Sequence, residues 1–187
     1  ATSCATYTTE GVRCILEHAN TNKLYEILPN YLYRNNVEVI WRTTNWGEPP
    51  VHIKNYQTRS ALKPNCKGEG CNYDEILLNG LKEQIVASTK NKILIVLHTS
   101  TSHGPTYNKK YPPQFESFKP VCNSVELGNC SQTELINAYD NTIVYTDYIL
   151  SELIKNLKQL TDYNSAMIFV SDHGESLGEN NLYMHGL

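Results

Sequence analysis

The sequence lacks any apolar run long enough to cross a bilayer, which takes about 20 consecutive apolar residues. It also lacks an excess of positive charge, because its formal net charge is −3, and we therefore expect no nucleic-acid partner. Internal repeats and low-complexity segments are missing too. With 187 residues, of which 40% are hydrophobic, the chain can bury one core. We predict a single soluble domain spanning residues 1–187, and its abrupt opening without Met leads us to expect a piece of a longer protein.

The six cysteines lack the C-x-x-C spacing of zinc ribbons and thioredoxin-like motifs. They fall instead into three local pairs: Cys4 and Cys14, Cys66 and Cys71, Cys122 and Cys130. Six cysteines allow 15 connectivities, so the sequence does not fix the pairing. Their even number and local clustering favour disulfides in an oxidising compartment such as the periplasm, and six free thiols in a cytosolic protein are the alternative.

Strand-like and helix-like segments alternate along the chain. Three runs are predicted strands, and the last two are apolar enough to be covered on both faces: 37–41, 92–98 and 166–170. Four segments are predicted helices: 8–19, 22–34, 74–88 and 131–160. We expect Pro29 to break the second of them, and a Ser131–Glu134 capping box to begin the last. Loops are predicted at 43–70 and 99–130. This order predicts an α/β domain with a largely parallel sheet, whose ligands bind beyond the carboxyl ends of the strands.

Polar residues cluster where two of the predicted strands end. His98 ends one strand, with His103 shortly after it, and Asp172 and His173 follow another, with His185 twelve residues further on. A carboxylate and an imidazole together suit zinc. The alternatives are an exposed loop in which Asp172 caps a helix, and histidines with purely structural roles. Lys109 and Lys110 lie in the long loop after His103, where they could meet anionic headgroups.

The stretch "CATYTTEGVRC", residues 4–14, is rich in hydroxyl groups and begins a predicted helix. A hydroxyl at a helix N-terminus is well placed to carry a phosphoryl group, because the free backbone N–H groups stabilise the added charge. Helix capping by Thr6, Thr8 or Thr9 is the alternative. The spacing alone does not decide between catalysis and capping.

Taken together, these stretches resemble the periplasmic domain of the lipid A phosphoethanolamine transferases, the family that includes the mobile colistin-resistance enzymes. The resemblance rests on three stretches: "SDHGESLGENNLYMHG", "SHGPTYNKKYPPQFESFKPVC" and "CSQTELINAYDNTIVYTDYI". It rests also on the C-x9-C spacing at the start and the C-x7-C spacing at 122–130.

This resemblance implies an alkaline-phosphatase/sulfatase-like α/β/α sandwich with a mostly parallel central sheet. It implies one catalytic zinc, with room for a second. Thr8 matches the family's nucleophile and zinc ligand, and Asp172 and His173 match two further ligands. The family's remaining ligand is a glutamate that would precede residue 1. The membrane domain, the first core strand and the C-terminal end of the family's enzymes would also lie outside this chain.

Four more positions gain expected roles from the resemblance. His103 and His185 match histidines near the metal that contact the phosphoryl group or a second zinc. Asn45 matches a residue that holds the ethanolamine-phosphate group, and His98 aligns with another histidine at the substrate. We therefore expect His103 and His185 to be catalytic as well as substrate-binding.

The resemblance implies transfer of phosphoethanolamine from phosphatidylethanolamine to lipid A or lipooligosaccharide, through an intermediate on Thr8, at the periplasmic face of the inner membrane. A sulfatase or phosphomonoesterase on the same fold is one rival, although the C/S-x-P-x-R string of sulfatases is missing. A phosphoglycerol transferase of the lipoteichoic-acid type and a disulfide-stapled binding module are the others.

Overall fold

Three parallel strands form the sheet that positions the site. The structure, a computed structural model, describes residues 3–17 and 26–185. The strands are β1 (Glu38–Thr43), β2 (Asn55–Thr58) and β3 (Ile93–His98), in the order β2-β1-β3. β1 is central, and Val39, Ile40 and Trp41 have no exposed surface. Thr43 pairs with His98, so the carboxyl ends of both strands meet at one edge of the sheet.

Helices and a small second sheet surround these strands. The helices are α1 (Thr8–Leu16), α2 (Leu28–Arg34), α3 (Arg59–Leu62), α4 (Leu81–Val86) and α5 (Gln132–Lys158). Two short strands, β4 (Ser176–Leu177) and β5 (Tyr183–Met184), pair antiparallel. Short 3-10 turns occupy Lys63–Asn65, Glu69–Asn72, Asp74–Leu78, Tyr107–Lys109, Pro113–Phe115, Leu127–Asn129 and Glu179–Asn181. Within the two described ranges, none of the helices is both long and apolar enough to cross a membrane.

The long helix α5 anchors the loop that precedes it. Its predicted capping box is confirmed, because Ser131 and Glu134 bond reciprocally to each other's backbone N–H. Asn141 is fully buried, and its Oδ1 accepts hydrogen bonds from the backbone N–H groups of Ser117 and Phe118. The side chain of a helical residue thus fixes the path of the polar loop at 99–130.

The predicted strand at 166–170 is wrong. These residues form no strand, and Ile168 is 90% exposed while Phe169 is 59% exposed. A strand needs a neighbour to satisfy its backbone groups, and no strand in the described parts of the chain pairs with this run. Apolar composition alone therefore did not decide its structure.

Three smaller expectations need correction. Pro29 stands in the first turn of α2, where its missing N–H costs nothing, so α2 runs through it from Leu28. The predicted helix 74–88 is interrupted, because Gly80 adopts a left-handed conformation between a 3-10 turn and α4. The predicted loop 43–70 contains β2 and α3. Helix 8–19 is confirmed up to Leu16, and residues 18–19 and 22–25 of the predicted helices lie outside the described residues.

The cysteines pair locally. Disulfides join Cys4 to Cys14, Cys66 to Cys71 and Cys122 to Cys130, and no cysteine in the described ranges is free. The first closes a loop around Thr8, and the last closes the end of the loop before α5. The interpretation of the six cysteines as disulfides is therefore confirmed, and the alternative of free thiols is excluded.

Arg42 is a buried cation that joins the sheet to the segment before α4. Its side chain donates to the carbonyl oxygens of Leu77 and Asn79 and to the side-chain oxygens of Gln57 and Gln84. All four acceptors are neutral, and burial lowers the pKa of Arg42 to about 10. The guanidinium satisfies acceptors that would otherwise be buried without donors.

We expect Arg42→Leu to lower the free energy of unfolding by about 3 kcal/mol, because it leaves those buried oxygens without donors. Arg34→Leu is the matched control, since Arg34 is exposed and its contacts, with Glu26 and the ring of Tyr31, lie at the surface. Its effect should stay within about 1 kcal/mol. Thermal or denaturant unfolding measures both, and equal losses in the two variants would contradict the role of Arg42.

Candidate active site

The N-terminus of α1 presents Thr8, and a glycine lets this helix approach the loop after residue 170. A Cβ added at Gly11 would lie 2.5 Å from the carbonyl oxygen of Asp172, closer than real Cβ contacts permit. Helices disfavour glycine, so its presence here is explained by this contact. Thr8 itself is 8% exposed. The first N–H groups of α1 have no intrahelical partner and point at the same region.

Thr8, Asp172 and His173 meet at one point. The Oγ1 of Thr8 lies 3.3 Å from the Nε2 of His173, and the Oδ2 of Asp172 lies 3.5 Å from the same nitrogen. The Nδ1 of His173 faces the carbonyl oxygen of Gly174 at 2.9 Å, so Nδ1 carries the proton and Nε2 presents a lone pair. Within the described ranges, the buried Oδ2 of Asp172 has no hydrogen-bond partner.

These three side chains fit a divalent metal. A carboxylate oxygen and an imidazole lone pair face each other, which is unfavourable unless a cation lies between them. Ligand atoms on one tetrahedral zinc, each bound at about 2.1 Å, lie roughly 3.4 Å apart. The distances from the Nε2 of His173 to Thr8 and to Asp172 agree with that spacing. Hydroxyl, carboxylate and imidazole are all ligands that zinc accepts.

His185 and His103 extend the cluster away from Thr8. The ring of His185 lies 4.1 Å from that of His173 and 4.8 Å from that of His103, centroid to centroid. Its Nδ1 lies 2.9 Å from the Oε1 of Glu175, whose Oε2 accepts a hydrogen bond from Tyr107. The ligand atoms of His173, Glu175 and His185 all lie within 4.8 Å of one another, so this triad is a second candidate metal set that shares His173 with the first.

Hydrogen bonds fix the orientation of these rings. The Nδ1 of His103 faces the carbonyl oxygen of Gly104 at 2.7 Å, and the Nδ1 of His185 faces the Glu175 carboxylate. Both rings therefore present Nε2 lone pairs. Burial lowers the pKa of His103; the hydrogen bond to Gly104 raises it in part, and His185 lowers it again, which leaves it below its ordinary value.

Asn45 and His98 form a second group at the ends of β1 and β3. The Nδ2 of Asn45 donates to the carbonyl oxygen of Thr99 and faces the Nε2 of His98 at 3.3 Å, while Oδ1 accepts from the backbone of Trp46. The Nε2 of His98 is thus an acceptor, and Nδ1 donates to Glu48 at 2.9 Å. Burial raises the pKa of Glu48, but hydrogen bonds from His98 and Thr43 outweigh it and leave the pKa below its usual range.

This second group adjoins Thr8 through residues 45–47. A Cβ added at Gly47 would lie 3.5 Å from the Cβ of Thr8, and the ring of Trp46 lies 4.7 Å from that of His103. The structure therefore gathers Thr8, Asp172, His173, His185 and His103 around one point. It places Asn45 and His98 beside that point, with His98 bonded to protein groups through both ring nitrogens.

The sequence analysis gave no role to Glu175, Tyr107 or Glu48. Glu175 lies two residues after His173 in "SDHGES". An acidic residue on the same loop as a candidate metal ligand is the one sequence feature that could have indicated its role. Tyr107 and Glu48 come from loops whose paths the sequence does not specify. Each holds or supports a residue of the cluster rather than facing its centre.

Comparisons with known proteins show the family to which the chain belongs. The profile of the Sulfatase family matches residues 1–187, and the chain belongs to that family. Phosphoethanolamine transferase EptA of Helicobacter pylori is 44% identical over 191 residues, which cover 100% of this chain and 36% of that protein. The predicted resemblance to phosphoethanolamine transferases is thereby confirmed.

Two solved structures share the fold. The C-terminal periplasmic domain of phosphoethanolamine transferase EptC from Campylobacter jejuni superposes with a TM-score of 0.82 at 38% identity, over 99% of this chain and 59% of that one. The integral membrane lipooligosaccharide phosphoethanolamine transferase A of Neisseria meningitidis gives 0.82 at 35% identity, over 98% of this chain and 36% of that one. The predicted sulfatase-like α/β fold is confirmed, and the chain spans little more than a third of its full-length relatives.

We expect Gly11→Ala to reduce turnover by about 10-fold to 100-fold, because the new methyl group pushes α1 away from Asp172 and moves Thr8 off His173. In a helix without this contact, the same change would stabilise by up to about 1 kcal/mol. Gly174→Ala is the control, since a Cβ there meets no atom within 4 Å. Steady-state rates and melting temperatures of both variants test this, and an unimpaired Gly11→Ala protein would refute the contact.

Proposed function

We propose that this chain is the catalytic part of a zinc-dependent phosphoethanolamine transferase, which moves phosphoethanolamine from phosphatidylethanolamine to lipid A or lipooligosaccharide at the periplasmic face of the inner membrane. The observation that carries the proposal is the 3.3 Å contact between the Thr8 hydroxyl and the His173 imidazole beside Asp172. The names of the relatives support the transferred group, and the name of the Neisseria protein supports the acceptor class.

The first half of the reaction forms a bond between the Oγ1 of Thr8 and the phosphorus of the donor. The oxygen–phosphorus bond to diacylglycerol breaks, and diacylglycerol takes up a proton as it leaves. The Oγ1 of Thr8, held 3.3 Å from the Nε2 of His173, loses its proton as it attacks, which balances the proton that diacylglycerol takes up. The product on the protein is a phosphoethanolamine ester of Thr8.

The second half reverses this chemistry with a new nucleophile. An oxygen of the acceptor attacks the phosphorus, and Thr8 leaves and regains its proton. Free N–H groups at the start of α1 lie beside Thr8, and the rings of His185 and His103 continue the cluster beyond His173, where their Nε2 atoms can contact phosphoryl oxygens. Phosphoryl transfer depends mainly on such positioning and on neutralising charge on the phosphoryl oxygens.

Thr8, Asp172 and His173 are the residues that would hold the zinc. When bound, zinc favours the ionised form of the threonine hydroxyl and neutralises phosphoryl oxygens. Glu175 orients His185, as carboxylates commonly orient metal-binding histidines. Asn45 has both amide hydrogens engaged, so it offers a substrate only the remaining lone pair of Oδ1, which suits the ammonium of ethanolamine.

We expect Thr8→Ala to reduce turnover by roughly 10³-fold or more and to prevent labelling of the protein by phosphatidylethanolamine carrying isotopic ethanolamine. Intact-mass measurement of the labelled protein, before acceptor is added, is the readout. Thr9→Ala is the matched control, since it removes the adjacent hydroxyl of the same helix turn and should label normally. If Thr8→Ala accumulates labelled protein at the normal rate, Thr8 is not the nucleophile. Release of phosphoethanolamine into water with equal speed, with or without acceptor, would favour a hydrolase.

We expect Asp172→Ala and His173→Ala each to weaken zinc binding by at least about 100-fold and to abolish labelling of Thr8. Chelation of the unaltered protein should abolish labelling too, and added zinc should restore it. His52→Ala, at an exposed position, is the control and should bind zinc normally. Metal content and zinc titration measure these effects, and full zinc binding by the Asp172→Ala protein would exclude Asp172 as a ligand.

A further inference from the structure

Two adjoining cavities lie beside the candidate active site. The first measures about 500 Å³ and extends from Asn45 to Arg59, Lys63 and Asn72. The second measures about 270 Å³ and is lined by Lys109 and Lys110. Arg59 and Asn72 line both, so the two cavities lie side by side at these residues. We call the two cavities together the cationic groove.

The cationic groove concentrates positive charge in a chain whose net charge is −3. Arg59, Lys63, Lys109 and Lys110 line it, and Asp74 is the carboxylate among its lining residues. Asp74 is 2% exposed, and both of its oxygens accept hydrogen bonds from protein groups: Thr44, Arg59, Ser100 and Thr101. Lys63 donates to neutral oxygens of Cys71 and Asn72. The positive charge of the groove therefore exceeds the negative charge facing it.

Among the described residues, neither Lys109 nor Lys110 has a polar partner for its ammonium group, and Lys110 is the half-buried one of the two. Its ammonium donates no hydrogen bond to any residue within 3–17 or 26–185, and its ring contact is Trp46, with the Nζ 6.0 Å from the centroid. Burial lowers the pKa of Lys110; Asp74 raises it in part and Arg59 lowers it further, and the net shift is downward. A half-buried ammonium without a hydrogen-bond acceptor is costly, and a bound anion supplies both the acceptor and the opposite charge.

The groove is next to the reacting group but separate from it. Asn45 lines the groove, while Gly47, two residues on, adjoins Thr8. Trp46 lies between Asn45 and Gly47 in the sequence. Its ring lies 4.7 Å from the ring of His103, and the ammonium of Lys110 lies near the same ring. A molecule whose reacting oxygen is at Thr8 can thus place a second anionic group in the groove.

We propose that the cationic groove binds a phosphate group of the acceptor other than the group being modified. This inference rests on the proposed function, because it takes the acceptor to be a phosphorylated glycolipid. The donor does not fit the groove in this way, since phosphatidylethanolamine carries one phosphate and that phosphate must lie at Thr8. Where the modified group is itself a phosphate, the groove therefore favours acceptors that carry two phosphates.

Equilibrium binding to the complete protein tests this without relying on activity. The probes are a short-chain glucosamine disaccharide lipid with two phosphates and the same lipid with one, in micelles free of anionic phospholipid. We expect the two-phosphate probe to bind about 10-fold more tightly, and Lys110→Gln to remove most of that preference. Lys109→Gln, at an exposed position less important for folding, should reduce the preference in the same direction. Lys119→Gln, which lies in the same loop but outside the groove, is the control.

Three outcomes overturn the proposal: equal binding of the two probes, an undiminished preference in both groove variants, or a preference that needs phosphatidylglycerol in the micelles. The last would assign the groove to a membrane headgroup. Labelling of Thr8 by phosphatidylethanolamine, measured on the same samples, separates this inference from the proposed function. Normal labelling without a preference counts against the groove alone, and a preference without labelling counts against the transferase.

Discussion

The close contact between α1 and the backbone of Asp172 is the constraint on which the site depends. Only the absence of a side chain at Gly11 lets the helix approach so closely. That approach sets the distance between Thr8 and His173. Thr8 and the pair Asp172–His173 are far apart in the sequence, so their proposed roles as nucleophile and metal ligands depend on this contact. The Cys4–Cys14 disulfide restrains the same helix from its other side.

A second layer of buried polar residues holds the loops that complete the site. Asp74 ties the ends of β1 and β3 together through Thr44, Ser100 and Thr101. Asn141 fixes the loop that begins there, and Tyr107 from that loop reaches Glu175. Each of these side chains is buried with its hydrogen bonds satisfied. Other loop conformations would leave these buried groups without partners, so the loops adopt one defined conformation. These buried side chains also orient the histidine rings, because Tyr107 holds Glu175 and Glu175 holds His185.

Local signals in the sequence predicted local structure well. The Ser131–Glu134 capping box, the strand before His98 and the three cysteine pairs all depend on residues close in the chain. The strand at 166–170 failed because a strand also needs a partner, which no property of its own residues provides. Gly11 is unfavourable in a helix by its own properties, and the contact that explains it lies 161 positions away, at Asp172. The site residues near Thr8 came from resemblance to a family, and the residues supporting them came only from the structure.

The uncovered segment at 166–170 bears on how this part of the protein behaves in concentrated solution. Met167, Ile168, Phe169 and Val170 are apolar, uncharged and exposed, and their backbone groups have no ladder partner in the described ranges. Runs of this kind pair readily with copies of themselves and seed aggregation. The first charged residue after them is Asp172. Its side chain faces the candidate site, so its charge does not oppose the pairing of this segment with another copy. Self-association of this chain is therefore expected to begin at this segment, two residues before Asp172.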